Sequence, residues 1–251
     1  MTKQLLLASA FVMATLCAFA QNNTTDEGVE INGIVWATRN VDAPGTFAEN
    51  PEDAGMFFQW NRRVGWPATG YEWPNPMPGW DSSNPEGTEW YAENDPCPAG
   101  WRVPTNLELI SLRNAGHEWT TENGVNGRKF GTAPYQIFLP AVGVRDGGIG
   151  AFFDANERGA YWTSTPHSNL GAVDLLFNSS FTIIADAFRP NGLSVRCVKR
   201  EPSTSINTPP AETNRTIVAF YNVLGQRLGQ APQRGIYIVV FDNGTAERRM
   251  R

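Results

Sequence analysis

Five tryptophans, Trp60, Trp66, Trp73, Trp80 and Trp90, fall within a stretch dense in proline and glycine, with Tyr71 and Tyr91 among them. An aromatic face left in water can stack on a sugar ring while a nearby carboxylate or amide accepts hydrogen bonds from its hydroxyls. Trp66, Tyr71, Trp73, Trp80, Asp81 and Trp90 are therefore the candidate binding residues, with Asn84 and Glu86 close by. The competing expectation is that the rings fold inward and give the loop a small core of its own, each burying roughly 150–250 Å².

The other reactive residue types do not assemble into a reaction. His117 and His167 are the only histidines, neither stands at zinc-ligand spacing from another His or Cys, and His117-Glu118 lacks the second histidine of H-E-x-x-H. Ser164 and Ser194 lie in strand-like runs without a nucleophile elbow. Calcium takes about 6–8 hard oxygen ligands, and Glu93-Asn94-Asp95 suits a turn before Cys97 better than such a cage. No catalytic residue, metal ligand or cofactor is assigned. A carbohydrate-active or modifying enzyme is the alternative class, and it would need converging carboxylates or a metal beside the tryptophans. A structural envelope component is the third.

The first twenty residues read as a secretory signal: Lys3, an apolar run from Leu5 to Leu16, and Ala18-Phe19-Ala20 before Gln21. Leu16 stands where a lipidation signal at Cys17 would want a small residue, so ordinary cleavage is expected, leaving Cys97 and Cys197 in the mature chain. In an oxidising compartment two such cysteines are expected to pair. No later stretch approaches the ~20 apolar residues of a membrane span.

Charge divides unevenly. Residues 21–201 hold 13 Lys and Arg against 22 Asp and Glu, a net of −9, whereas residues 202–251 hold 6 against 3, a net of +3. An acidic body argues against nucleic acid or an anionic membrane as its partner.

Local signals outline the elements that would position these groups. Val29, Ile31, Ile34 and Trp36 flank Asn32-Gly33, which predicts a tight hairpin turn, and Met56–Trp60 reads as a short aromatic strand. Residues 61–96 show no sustained period and are expected to form a long loop. Thr105 and Glu108 form a capping box ahead of Leu107, Leu109, Ile110 and Leu112, with Gly116 as the stop, which predicts one helix of about three turns. Five β-rich stretches follow at 137–144, 159–165, 173–177, 181–188 and 193–198, and their spacing suggests a meander. Arg102 and Arg196 flank the cysteines; either could line a groove, and one is expected to pair with a carboxylate near the helix start, Glu108 being in place. Residues 201–214, with Pro202, Pro209 and Pro210, read as a linker before two strand-rich pieces at 217–228 and 235–251, the latter turning at Asn243-Gly244.

Taken in order, the V-x-I-x-x-x-x-W hairpin, FFQW at 57–60, CPAGWRVPT at 97–105, FLPAVGVRDGG at 138–148, YWTST at 161–165 and SVRCVK at 194–199 resemble the Fibrobacter succinogenes major paralogous domain, a family of exported bacterial proteins, over roughly residues 29–200. The resemblance implies an α+β, C-type-lectin-like fold: a twisted, mainly antiparallel sheet with one helix and long loops. WRVPTNLEL is also similar to an element of formylglycine-generating enzymes. Those enzymes use an additional reactive cysteine pair, and here both mature cysteines occupy the structural positions. FYNVLGQRL, RGIYIVV and the closing ERRMR resemble a type IX secretion system sorting domain in shortened form, which implies a small all-β C-terminal unit and the secretion machinery as a partner. The expected organisation is a signal peptide at 1–20, a polar leader at 21–28, the lectin-like domain at 29–200, a linker at 201–214 and the sorting-like unit at 215–251. The expected function is a non-enzymatic, exported surface or secreted binding protein, with a glycan or a surface protein as its ligand.

Overall fold

The computed structural model describes residues 25–200, 216–222, 225–242 and 244–250, and the chain divides after Arg200 into two compact units. The expected signal peptide, the first residues of the leader, the linker at 201–214 and Asn243 of the tail turn lie outside the described residues. The first unit is mostly antiparallel sheet with one α-helix, a mainly-β α+β arrangement.

Asn32 and Gly33 both take left-handed backbone (φ 53° and 77°), closing strands Val29–Ile31 and Ile34–Trp36 into the expected hairpin. Trp36 then pairs with Val198 of the strand Val198–Lys199, which pairs on its other side with Trp101–Arg102. Segments near residues 30, 100 and 200 therefore share one sheet. Its seam is closed covalently, since Cys97 and Cys197 form the expected disulfide, with Cα atoms 6.1 Å apart.

The helix runs Asn106–Asn114 behind its capping box: the Thr105 side chain accepts from the Glu108 N–H, and the Glu108 carboxylate accepts from the Thr105 N–H at 2.7 Å. Gly116 follows with φ 95°. Leu109 and Leu112 are buried with Trp36, Phe130, Leu139 and Tyr161, whereas Leu107 faces solvent. A second cluster gathers Trp60, Trp90, Trp101 and Trp162 around the disulfide.

A three-stranded sheet of His117–Glu122, Val125–Thr132 and Tyr135–Pro140 precedes a meander of Gly159–Pro166, Gly171–Phe177 and Thr182–Phe188. The five-stretch meander is thus corrected to three strands. The first stretch belongs to the preceding sheet, and the last does not join a sheet until Val198. The reason is where its backbone hydrogen bonds go: every residue from Leu193 to Val198 is buried, and its partners lie outside Thr182–Phe188. It crosses the interior, exchanging backbone hydrogen bonds from Leu193 with Phe58, from Ser194 with Ala160 and Trp162, from Val195 with Val41 and from Cys197 with Ala37.

The second unit is a four-stranded antiparallel sheet made of Ile217–Asn222, Arg227–Leu228, Ile236–Phe241 and Ala246–Met250. Alternate residues Tyr237, Val239 and Phe241 form its buried face, the period of two that a half-buried strand requires.

Candidate functional site

Within residues 61–96 the regular pieces are a strand at Gly65–Pro67, paired with Met56–Phe58, and a 3-10 turn at Ala92–Asn94. Two buried arginines fix much of the rest. The Arg145 guanidinium donates to the carbonyls of Pro67 (2.6 and 2.8 Å), Thr69 (2.8 Å), Gly70 (3.2 Å) and Gly150 (2.7 Å). Arg189 donates to Pro85 (3.0 Å), Gly87 (2.9 Å), Ser168 (2.6 Å) and, more weakly, Gly171 (3.4 Å). A proline-rich loop leaves carbonyls with no strand partner, and one guanidinium carries five donors in a rigid fork that can satisfy several at once. Burial lowers the pKa of both arginines, and among the described residues neither forms an ion pair with a carboxylate.

The six candidate residues separate by depth. Trp90 is 9 % exposed, its ring lies 5.8 Å from that of Trp60, and its Nε1 donates to the Asn94 carbonyl at 3.0 Å. It belongs to the disulfide cluster, which corrects its place among the surface rings. Trp66 and Trp80 are half-buried with ring centres 4.9 Å apart. Trp80 Nε1 donates to the Gly147 carbonyl at 3.0 Å, and its ring lies so close over Gly150 that a Cβ there would come within 2.5 Å. Tyr71 and Trp73 stand out in water, 44 % and 61 % exposed. Their backbone is held to Phe152, which donates to the Tyr71 carbonyl (2.8 Å) and accepts from the Trp73 N–H (3.0 Å). Asp81 is exposed but engaged: it ion-pairs with Arg62 at 2.8 Å, and hydrogen bonds from Ser83, helped by Arg62, hold its carboxyl below the usual range. The sequence-derived set therefore contributes two open rings, two supporting rings, one occupied carboxylate and one core residue.

Arg102 makes the expected pair, meeting both carboxylate oxygens of Glu108. Burial works against that carboxylate, but Arg102 and the Thr105 N–H outweigh it and hold the carboxyl below its ordinary value. Arg196 lines no groove. It is fully buried and donates to Asn40 Oδ1 and the Ala37 carbonyl, and burial brings its pKa down to about 10. His117 Nδ1 lies 3.1 Å from an Arg128 nitrogen; burial and that guanidinium lower its pKa. Among the described residues no three His, Cys, Asp or Glu side chains converge on a point that could hold a metal.

No family model, curated protein or solved structure matches the chain.

Three functional or positioning residues escaped the sequence reading. Arg145 in GVRDGG and Arg189 in FRPNG sit in turn-like contexts that normally point a charge outward. The third, Asp174, did leave a signal: it is the one charged residue in the strand GAVDLLF, where a solvated face would have shown alternation. It is 2 % exposed, and its Oδ1 has no hydrogen-bond partner.

Proposed function

We propose that residues 29–200 form a lectin-like, non-catalytic recognition unit of an exported protein, with Tyr71 and Trp73 receiving a carbohydrate. One arrangement carries the reading: two large rings kept in water on backbone that Phe152 and Arg145 hold in place. A fixed platform avoids the ordering entropy that a mobile loop would lose on binding. Tyr and Trp both offer wide apolar faces with few rotatable bonds. The acidic body favours neutral or cationic glycans over anionic ones.

In the same reading the second unit is a shortened sorting domain that engages a type IX secretion machinery. Its support is that FYN and RL of the first motif and IYIVV of the second lie on paired strands, and that Arg248 and Arg249 lie on the adjoining strand Ala246–Met250.

The full chain applied to a broad glycan array tests the platform. Trp73→Ala is expected to weaken binding by about tenfold or more, the loss of ~1.4 kcal/mol, with the melting temperature unchanged. An array without a bound glycan, or a variant that binds like the parent, would sink the reading. For the tail, deletion of residues 215–251 in the producing cell is expected to abolish delivery to the surface; undiminished delivery refutes its role.

A further inference from the structure

The meander carries a pocket of about 370 Å³, within the ~300–1,000 Å³ of small-molecule sites. Val144, Phe153, Leu176 and Leu193 give it apolar walls, and Asp174, Asp186 and Arg158 are the charged side chains set among them. Space is left because small residues, Ala160, Ala185 and Ala187, line it too. In the strand register Asp174 lies opposite Trp162 on one side and Ala185 on the other. Neither satisfies it: the Trp162 indole N–H donates to the Phe58 carbonyl at 2.7 Å, and alanine has no donor on its side chain.

A buried carboxyl with one oxygen left unpaired lowers stability, and an apolar residue of similar volume would avoid that loss. An acid at such a position, in a cavity, is a candidate binding group. The surrounding charge selects its ligand. Asp174 and Asp186 both line the pocket, and Arg158, which faces them, is neutralised by Asp154 at 2.8 Å. The Arg158 guanidinium lies 5.2 Å from the Phe153 ring, and its buried Nε is unpaired. With Arg158 offset by Asp154, Asp186 and, once ionised, Asp174 leave the site negative.

We propose that this pocket binds an organic cation, with an ammonium group on the Asp174 carboxylate and a short apolar body against Phe153, Leu176 and Leu193. The site is independent of the aromatic platform and shares no residue with it.

The test uses n-butylammonium, with 1-butanol and butyrate as its neutral and anionic counterparts, titrated into the full chain and followed by methyl NMR at Leu176 and Leu193. Saturable shifts are expected with butylammonium alone. Burial, and then the Asp186 carboxylate, push the Asp174 carboxyl up to about 7, so affinity is expected to rise roughly thirtyfold from pH 5.5 to pH 8.0 as the carboxylate ionises. His167 adjoins Ser168 on the rim, and a His167→Gln variant should keep that profile. Asp174→Asn should lose at least tenfold in affinity. Equal binding of butanol or butyrate, absence of saturable shifts, or a flat pH profile in the parent protein would each overturn the proposal. These three outcomes need no variant to fold.

Discussion

The guanidinium of Arg189 lies 4.3 Å from the centre of the Trp60 ring. That contact joins two features that composition alone keeps apart, a buried cation and a tryptophan that no ligand can reach. The ring supplies an electron-rich face to a charge that has no carboxylate, while the N–H groups of Arg189 hold Pro85, Gly87 and Ser168. One side chain thus ties the tryptophan loop both to the core beneath it and to the turn after Pro166.

Arg189→Met keeps most of the length and removes every donor. It is expected to lower stability by about 3 kcal/mol, because several buried carbonyls lose charged hydrogen-bond donors at once. Urea unfolding measures this; a loss below ~0.5 kcal/mol would show that these carbonyls find water or other donors instead.

Reducing the disulfide, or replacing Cys97 and Cys197 by serine, is expected to lower stability by about 2–4 kcal/mol for a cross-link of this span. The cysteines are 100 residues apart. Thermal melts with and without reductant read the difference, and coincident melts would count against a stabilising bridge.

Thr105→Ala should cost about 1 kcal/mol by removing one half of the capping box. Glu108 adds a pH dependence of known sign. Its folded carboxyl titrates below the ordinary value of 4.5, so its contribution is present above that value and is lost as pH falls through the folded one. Glu108→Gln is expected to flatten that part of the acid-unfolding curve; an unchanged curve would refute the assignment.

Asp174 acts in the opposite direction. With its carboxyl raised from 3.8 to about 7, the folded state keeps a proton that the unfolded chain releases, so stability falls as pH rises between about 4 and 7. Asp174→Asn should remove that slope and stabilise the protein by about 2–4 kcal/mol at pH 8. A stability–pH profile identical to the parent's would contradict it.

Features legible in the sequence were those written in residues close together or in a forced chemical pairing. Asn32-Gly33 makes its hairpin and Thr105 with Glu108 caps its helix; Arg102 finds the carboxylate six positions on. The same logic could have found the hairpin His117–Glu122 with Val125–Thr132, whose turn is Asn123-Gly124 at φ 48° and 84°. Its strands are mostly polar, and the missing hydrophobic alternation hid them. Leu193–Val198 reads as a strand because it is apolar, but its neighbours belong to segments from 32 to 160 residues away. The tryptophans differ for the same reason. Trp90 is enclosed because Trp60 lies beside it, Trp73 is open because nothing covers it, and no local spacing distinguishes the two.

The interior course of Leu193–Cys197 also dictates when the fold can close. Arg196 meets the Ala37 carbonyl across 159 positions and Asn40 across 156, so these contacts form only after a very large loop has been drawn together. Contacts of such separation are gained late and slow the reaction that makes them. A chain made from its N-terminus leaves Ala37, Val41, Phe58 and Ala160 without their shared partner until residue 197 has been added. The interior of this unit therefore cannot be completed on nascent chains that end before residue 197.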